Sequence, residues 1–396
     1  MCENELGPAE DELFEACYSG DFEKVVKLVE EEDADICYQD FKTGVSPLMI
    51  AAGIGNTDIV NYLLSEGAPW NAVDREYLCA GDYAARNGHQ RCIDAILNHA
   101  VMSELLLSLA VDKSESLSLE NIDSMNYSTV IENTNRTEKT EQLNAAYLAS
   151  RLEYTEDGKC LVDTNTQLAV MMDWETSIME KHAAWICHAD VVGSNNDNKP
   201  PLNILNVGFG MGIVDTAIQK YSPHSHVIIE AHPEVLQKMQ SEGWYQRPGV
   251  RIIASRWQDA VVTLANEIEE GKMPRFSGIF FDTYAEDDKD LKEFNTWLPK
   301  LLSLPPGEEQ SVGNENEVQP LPGRYSYYNG LCPDNVFFHG VACETIRLHL
   351  KRLGLCCVYD AVPVDVAGQD LWKNVAQRYW YFDTYFLPKC TFDCKD

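Results

Sequence analysis

A pattern with a period of about 33 residues runs through the first hundred residues of the chain. In each copy a short alanine-containing helix ends at a glycine and is followed by an amphipathic second helix. The recurring small residues of the three copies are Ala16 and Gly20, then Ala51, Ala52 and Gly55, then Ala84, Ala85 and Gly88. Repeats of this length bury their apolar faces by stacking, so the pattern predicts an all-α repeat domain over residues 1–102.

The repeated segment resembles ankyrin repeats, in which small alanines let paired helices pack closely and the glycine ends the first helix. The resemblance implies a surface on which another protein docks. A plain helical bundle is the alternative interpretation.

The residue composition and the apolar pattern change twice after the repeats. Residues 103–144 are rich in Ser, Asn, Thr and acidic residues without a sustained apolar period, which predicts a linker that has room for a short helix. From 145 to 396, short β-rich runs alternate with helical stretches, as in a parallel sheet with crossover helices. The predicted strands are 203–209, 226–231, 250–255, 277–283, 324–329, 356–364 and 379–387. Seven strands whose last two form an antiparallel hairpin fit the α/β fold of a class I methyltransferase, with residues 305–320 as a surface loop before the fifth strand.

Composition argues against nucleic-acid, metal and membrane binding. The 63 acidic and 31 basic residues give a net charge of −32, which disfavours direct binding of nucleic acid because cations are needed to replace phosphate counterions. This charge serves either solubility or attraction to a basic protein partner. The thirteen cysteines include no Cys-x-x-Cys pair, so no metal site is predicted. No long apolar run predicts a membrane span, and we expect an intracellular protein of the cytoplasm, with the nucleus as the second compartment.

A glycine-rich turn follows the first predicted strand of the second domain. Gly208, Gly210 and Gly212 lie where that strand ends and a helix begins, so backbone amides there can approach a nucleotide-like ligand. Glu230 ends the next strand, about 20 residues on, where an acid accepts ribose hydroxyls. This spacing suits a dinucleotide as well as S-adenosylmethionine. The segments 255–259 (Ser-Arg-Trp-Gln-Asp) and 280–284 (Phe-Phe-Asp-Thr-Tyr) resemble those of a methyltransferase and favour the methyl donor, with S-adenosylhomocysteine as product.

The position two residues before the first glycine departs from the usual methyltransferase pattern. Most methyltransferases carry an acid there, and this chain has Asn206. An amide oxygen still accepts a hydrogen bond from the donor's amino group or from a bridging water, so the departure weakens the electrostatics without excluding the donor.

Residues 165–388 resemble guanidinoacetate methyltransferase. The resemblance rests on the segment 171–175 (Met-Met-Asp-Trp-Glu) with Met179, the glycine turn, the Phe-Asp-Thr-Tyr segment and residues 327–330 (Tyr-Tyr-Asn-Gly). An ankyrin module before such a domain resembles the fungal-type, or type IV, protein arginine N-delta methyltransferases. That family resemblance covers nearly the whole chain. It implies methyl transfer to the delta nitrogen of arginine in a basic protein, and a ribosomal protein in particular.

The resemblance also implies roles for individual residues. Glu175 and Asp282 are expected to grip the substrate guanidinium as the catalytic pair. Paired carboxylates suit a cationic, delocalised guanidinium, because they accept its N–H bonds in fork geometry and take up the released proton. Trp174 and Asn329 are expected to complete the substrate site. The residues expected to border the donor are Met172, Met179, Gly208, Gly210, Met211, Gly212, Glu230, Ala231, Trp257 and Asp282.

Less specific roles remain open for the same residues. The methionines and Trp174 around 171–179 have a spacing that also suits a helix facing the core, and Asp282 has a position that also suits a helix cap. Two further functions remain as alternatives: a small-molecule guanidino methyltransferase, and a non-catalytic ankyrin scaffold with a degenerate methyltransferase fold. The ankyrin module argues against the first, since a metabolite needs no protein-docking surface.

Overall fold

The computed structural model describes residues 8–116, 142, 144–192, 200–284, 288–305 and 321–392. Contacts divide the chain into two compact units. One comprises Met1–Asn126 with Cys332–Thr345, and the other comprises Tyr127–Leu331 with Ile346–Asp396.

The described residues 8–116 of the first unit form three helix pairs. Their bounds are Pro8–Ser19 (α1) and Phe22–Glu31 (α2), Pro47–Ile54 (α3) and Thr57–Ser65 (α4), and Ala80–Arg86 (α5) and Gln90–Ser116 (α6). Gly55 ends α3 with a φ of +84°, and a Cβ there would lie 2.6 Å from the His89 ring. Asn56 then caps α4 by accepting a hydrogen bond from the Ile59 amide at 3.1 Å. The three repeats predicted from the glycine period are confirmed.

Helix α6 is longer than the repeat pattern predicts. It continues to Ser116, so residues 103–116 of the predicted linker are helical. Of the remaining linker residues, only 142 and 144 lie within the described ranges.

A segment from late in the sequence completes the first unit. Asn335 donates a hydrogen bond to the Asp82 carboxylate at 2.7 Å, and the Phe338 ring packs edge-on against Trp70 at 5.8 Å. The Phe337 ring lies so close to Gly81 that a Cβ at this glycine would overlap it. The sequence pattern had assigned 332–345 to the second domain, and no periodic signal marks its association with the repeats.

The described part of the second unit includes a three-stranded antiparallel sheet that the sequence pattern did not predict. Its strands are Leu152–Tyr154 (β1), Cys160–Asp163 (β2) and Ala169–Met172 (β3). The helical spacing expected around 171–179 is therefore wrong for its first members, because Met171 and Met172 lie on β3. A short 3-10 helix, Asp173–Glu175, then leads into helix α7, Thr176–Ile186.

The main sheet has seven strands, as predicted. They are Asn203–Val207 (β4), Ser225–Glu230 (β5), Val250–Ala254 (β6), Gly278–Phe281 (β7), Arg324–Tyr327 (β8), Leu355–Pro363 (β9) and Thr384–Phe392 (β10). Their order is β6-β5-β4-β7-β8-β10-β9. The first five run parallel, and β10 pairs antiparallel with both β8 and β9, so the class I methyltransferase fold with a terminal hairpin is confirmed.

Helices connect and cover these strands. The described helices after α7 are Ala189–Val192 (α8), Ile213–Gln219 (α9), Pro233–Ser241 (α10), Trp257–Glu269 (α11), Asp288–Asn295 (α12), Leu298–Leu301 (α13) and Val336–Arg352 (α14). Most of the predicted loop at 305–320 lies outside the described residues.

The start of the last strand was predicted wrongly. The expected strand covered 379–387, whereas β10 begins at Thr384. Tyr379 and Trp380 have strand-forming side chains, but both rings are instead packed into clusters with other aromatic residues. Tertiary packing outweighs local propensity in this segment.

Candidate active site

A cleft open to solvent lies at the carboxyl ends of β4, β5, β6 and β7. This position is the usual ligand-binding crevice of an open α/β sheet. Its lining residues are Asn144, Tyr147, Leu148, Val170, Met171, Val207, Gly208, Gly210, Ile229, Glu230, Ala231, Ser255, Arg256, Trp257, Gln258, Asp282, Thr283 and Tyr284.

The glycine turn forms one wall of this cleft. All three glycines have positive φ values, +91° at Gly208, +54° at Gly210 and +71° at Gly212. A Cβ on Gly208 would overlap the carbonyl oxygen of Asp282, so this position requires glycine for space as well as for backbone conformation. The turn therefore brings the end of β4 into direct contact with the residue that follows β7.

Glu230 ends β5 and lines the cleft. Its carboxylate accepts hydrogen bonds from the backbone amides of Phe209 at 2.9 Å, Ala231 at 2.8 Å and His232 at 2.7 Å. Burial raises its pKa, and these N–H bonds offset part of the rise. Since a carboxylate offers about four lone-pair sites, these bonds leave room for one ligand hydroxyl more readily than for two.

Asn206 has a different role from the one expected. The side chain is fully buried, and its amide nitrogen donates to the Gly208 carbonyl and to the Asp215 carboxylate, both at 2.8 Å. Asp215 also pairs with His226 at 3.0 Å. Asn206 is not among the residues that line the cleft. Its hydrogen bond to the Gly208 carbonyl instead stabilises the glycine turn.

The remaining donor-site candidates divide into two groups. Ala231 and Trp257 line the cleft together with Gly208, Gly210 and Glu230. Four others do not line it: Met172 and Met179 are buried in apolar clusters, Met211 packs against two such clusters, and Gly212 begins α9 against the Phe209 ring. Met171 lines the cleft in place of Met172, because alternate residues of a strand face opposite sides.

Two carboxylates lie close enough to interact electrostatically. Glu175 is 3% exposed and ends the 3-10 helix after β3, while Asp282 follows β7 and is partly exposed at the cleft. The Met172 amide donates to Glu175 Oε1 at 3.0 Å, and the Tyr379 hydroxyl donates to the same oxygen. Among the described residues, no ion pair includes either carboxylate, and no hydrogen bond reaches Glu175 Oε2 or the Asp282 carboxylate.

Both carboxylates have raised pKa values. Burial, together with the neighbouring Asp282 charge, raises the pKa of Glu175 to about 8. Burial raises the pKa of Asp282 to about 7. A bound cation would favour the ionised form of each group, because an opposite charge at short range outweighs part of the desolvation penalty. The pair therefore has the electrostatics of a cation-binding site whose groups can exchange protons near neutral pH.

Asp282 has no visible capping role. Helix α12 begins at Asp288, six positions later, and no described backbone N–H donates to the Asp282 side chain.

An aromatic wall, which we define as Trp174, Trp372 and Tyr379, meets Glu175 through the Tyr379 hydroxyl. The Trp174 indole donates to the Tyr379 hydroxyl at 3.0 Å, and the two rings lie 5.8 Å apart. Trp372 packs edge-on against Tyr379 at 5.2 Å. Trp174 was expected from the sequence, whereas Trp372 and Tyr379 were not. They come from the segment between β9 and β10, about 200 residues away, and only folding brings them to Glu175.

Asn329 is buried beside β10. Its side-chain amide donates to the Phe386 carbonyl at 2.9 Å, and its backbone amide donates to the Tyr385 hydroxyl at 2.7 Å. These bonds attach the segment after β8 to the terminal hairpin. Asn329 is not among the residues that line the cleft.

Tyr147 and Tyr284 form a further part of the cleft that the sequence pattern missed. Their rings lie 4.7 Å apart, and Tyr147 also lies 4.9 Å from the His232 ring. Tyr284 belongs to the Phe-Asp-Thr-Tyr segment, which could have indicated it. Tyr147 lies before β1 in a stretch without a recognisable motif.

Family models match two parts of the chain. Residues 13–105 match ankyrin repeats in three copies, and residues 137–298 match guanidinoacetate N-methyltransferase. Within the described ranges, every helix is too short or too polar to cross a membrane. No group of three or more His, Cys, Asp or Glu side chains in those ranges is arranged to hold a metal ion.

Several fungal proteins resemble the chain over most of its length. A relative from Yarrowia lipolytica named protein arginine N-methyltransferase 2 is 36% identical over 250 residues, which are 62% of this chain and 47% of the relative. Relatives of the same name from Candida glabrata and Neurospora crassa are 31% and 30% identical. These two matches cover 91% and 97% of this chain, and 88% and 96% of the relatives.

Proposed function

The chain belongs to the protein arginine N-methyltransferase 2 family of methyltransferases, and on that premise we propose that it transfers a methyl group from S-adenosylmethionine to a guanidino nitrogen of arginine in a protein substrate. The observation that carries this proposal is the pairing of buried Glu175 with Asp282, which lines the cleft. The two carboxylates interact electrostatically, and the described ion pairs supply no cation to them. A guanidinium matches such a site, because it is planar, always charged and rich in N–H donors.

The residues that line the cleft suit S-adenosylmethionine in their chemistry. Val207, Ile229 and Trp257 provide apolar surface for a purine-like ring, and the Glu230 carboxylate can accept one hydroxyl bond. The donor supplies an electrophilic methyl group carried on a sulfonium. The backbones of Gly208 and Asp282 are in close contact. This contact places the proposed donor site next to the carboxylate pair.

The carboxylate pair orients the substrate and takes up its proton. A guanidinium nitrogen is a poor nucleophile because its lone pair is delocalised, so precise placement and charge compensation contribute most of the acceleration. Glu175, held by Tyr379 and the Met172 amide, presents Oε2, and Asp282 presents both of its oxygens. Their pKa values of about 8 and about 7 suit acceptance of the proton that leaves the substrate.

Methyl transfer should be pH-dependent because of these two groups. Without substrate, Glu175 and Asp282 are largely protonated at pH 6, and both are largely ionised only at about pH 9. A guanidinium binds the ionised pair, so binding releases protons and kcat/KM should rise at least about tenfold from pH 6 to about pH 9, then level off. A pH profile with an arginine peptide checks this. A profile that is flat over this range would contradict the assignment of the pair to substrate binding.

The proposal also specifies which guanidino nitrogen is methylated, which kind of protein is the substrate and in which cellular compartment the reaction occurs. We propose the delta nitrogen of arginine and a basic ribosomal protein as substrate, and we place the activity in the cytoplasm and nucleus. The net charge of −32 supports a basic partner and argues against direct binding of nucleic acid. A small-molecule guanidino substrate is the second candidate, favoured by the match of residues 137–298 to guanidinoacetate N-methyltransferase.

The ankyrin turns should contribute to recognition of the intact protein substrate. Phe41 lies in the turn between α2 and α3, and Tyr77 lies in the turn between α4 and α5. Their side chains are 73% and 78% exposed. Because exposed aromatic residues often dominate interface energy, Phe41→Ala with Tyr77→Ala should raise KM for the intact protein about tenfold and leave KM for a short arginine peptide unchanged. Leu106→Ala, on helix α6 with 62% exposure, is the matched control. Equal effects on both substrates would show that the turns affect the enzyme itself.

One labelling experiment tests the proposed function. The protein is incubated with methyl-labelled S-adenosylmethionine and either a cell extract or guanidinoacetate. We expect the label in a basic protein band and little in guanidinoacetate. Label in guanidinoacetate alone would favour the small-molecule reaction, and no transfer to either would support a scaffold.

A further inference from the structure

The hydroxyl group of Tyr328 has no assigned role in the site described so far. Its oxygen is buried and has no hydrogen-bond partner among the described residues. Leaving such a group without a partner costs about 1–3 kcal/mol, so an unpaired buried hydroxyl needs an explanation.

Tyr328 lies beside both carboxylates. It directly follows β8, and its backbone amide donates to the Phe281 carbonyl at 2.9 Å, which places it next to Asp282 at the same edge of the sheet. Its ring packs against the apolar cluster that Trp174 also covers, on the Glu175 side. Burial raises the pKa of its hydroxyl, and the nearby charges of Glu175 and Asp282 add to the rise.

The ring of Tyr328 is held in place by a buried network. It stacks on Tyr385 with centroids 5.8 Å apart and planes at 30°. The Tyr385 hydroxyl lies 3.0 Å from His182 Nε2, and His182 Nδ1 lies 2.7 Å from the Ser326 hydroxyl. Because these partners are buried, the Tyr328 hydroxyl is preorganised instead of free to sample many positions.

We propose that the Tyr328 hydroxyl is a substrate-binding group whose oxygen accepts an N–H of the guanidinium. This inference rests on the proposed function. Glu175 Oε2, the two Asp282 oxygens and the Tyr328 oxygen give four acceptors without hydrogen bonds from other described residues. The two terminal nitrogens of an arginine guanidinium carry four N–H groups. Tyr328 thus completes a set that holds both terminal nitrogens and leaves the internal nitrogen for the methyl group.

The test measures binding of ethylguanidinium to the full chain in the presence of S-adenosylhomocysteine, by calorimetry. Tyr328→Phe removes one oxygen and keeps the stacked ring. A hydrogen bond to a charged group is worth about 1.5–3 kcal/mol, so the dissociation constant for ethylguanidinium should rise about tenfold or more, with that for S-adenosylhomocysteine unchanged. The melting temperature should stay the same or rise, because the variant removes an unpaired buried hydroxyl.

Tyr325→Phe is the matched control. Its hydroxyl is also buried without a partner among the described residues, but it lies in the sheet core beside Cys357 and Cys390. This variant should bind ethylguanidinium as the wild type does. If Tyr328→Phe also binds as the wild type does, the role of Tyr328 is refuted. If the wild type binds ethylguanidinium no better than ethylammonium, the proposed function itself fails, and the role of Tyr328 fails with it.

Discussion

Asp282→Asn and Glu175→Gln should each lower kcat/KM for an arginine substrate at least about a hundredfold. Each change keeps the shape of the side chain, removes a negative charge from beside a cationic substrate and replaces an acceptor oxygen by a donor. Lost charge-assisted hydrogen bonds contribute about 1.5–3 kcal/mol, and lost proton acceptance contributes a further factor of about 10²–10⁴. Steady-state kinetics at saturating donor measure the effect.

Glu230→Gln provides the contrast for these two variants. Glu230 accepts backbone amides around the cleft and should act through the donor, so its substitution should raise the donor dissociation constant. Asp282→Asn and Glu175→Gln should leave that constant within about threefold of the wild type, because neither side chain is assigned to the donor's ribose. More than a tenth of wild-type turnover in Asp282→Asn would contradict the carboxylate-pair mechanism.

Gly208→Ala should abolish donor binding almost completely. The added Cβ would overlap the Asp282 carbonyl oxygen, and alanine is also strained at a φ of +91°. The glycine turn and the segment after β7 must then separate, and displacements of about 1 Å in such sites can cost about a hundredfold. Equilibrium dialysis with labelled donor should show a rise in the dissociation constant of at least that size.

Gly158→Ala separates backbone strain from the steric clash. Gly158 has a φ of +70°, but a Cβ there would have no atom within 4 Å. This variant should lose about 1 kcal/mol of stability and bind the donor normally. If Gly208→Ala binds the donor within about threefold of the wild type, the close contact with Asp282 has no functional importance.

Much of the fold could be predicted because its signals are local and periodic. The glycines at 20, 55 and 88 mark the helix ends of three repeats, and all three have positive φ values. The apolar runs of β4 to β8 stand between turn residues, so their order along the chain indicated a parallel sheet. The β1–β3 sheet was missed because its strands have only three or four residues.

Residues of the site could be predicted only where they belong to a recognisable sequence motif. The sequence indicated Glu175, Glu230 and Asp282, and the structure places two of these, Glu230 and Asp282, in the lining of the cleft, with Glu175 beside Asp282. Tyr379 reaches Glu175 across 204 positions of the chain, and no local pattern encodes such a contact. Tyr147 is likewise brought to Tyr284 only by tertiary packing.

The methionines show a different limit of sequence reasoning. A motif fixes which residues are near a site but not which backbone atom or side chain faces it. Met172 contributes its backbone amide to Glu175, while the neighbouring Met171 side chain lines the cleft. Only the strand conformation of β3, which replaces the expected helical spacing, decides between these two neighbours.

The most direct test of the account is to identify the modified atom. A protein substrate methylated in vitro by the full chain is digested, and the labelled peptide is fragmented in a mass spectrometer. The account predicts one methyl group on the internal guanidino nitrogen of an arginine, present with the wild type and nearly absent with Asp282→Asn. A methyl group on a lysine or a carboxylate, or equal labelling by Asp282→Asn, would contradict it.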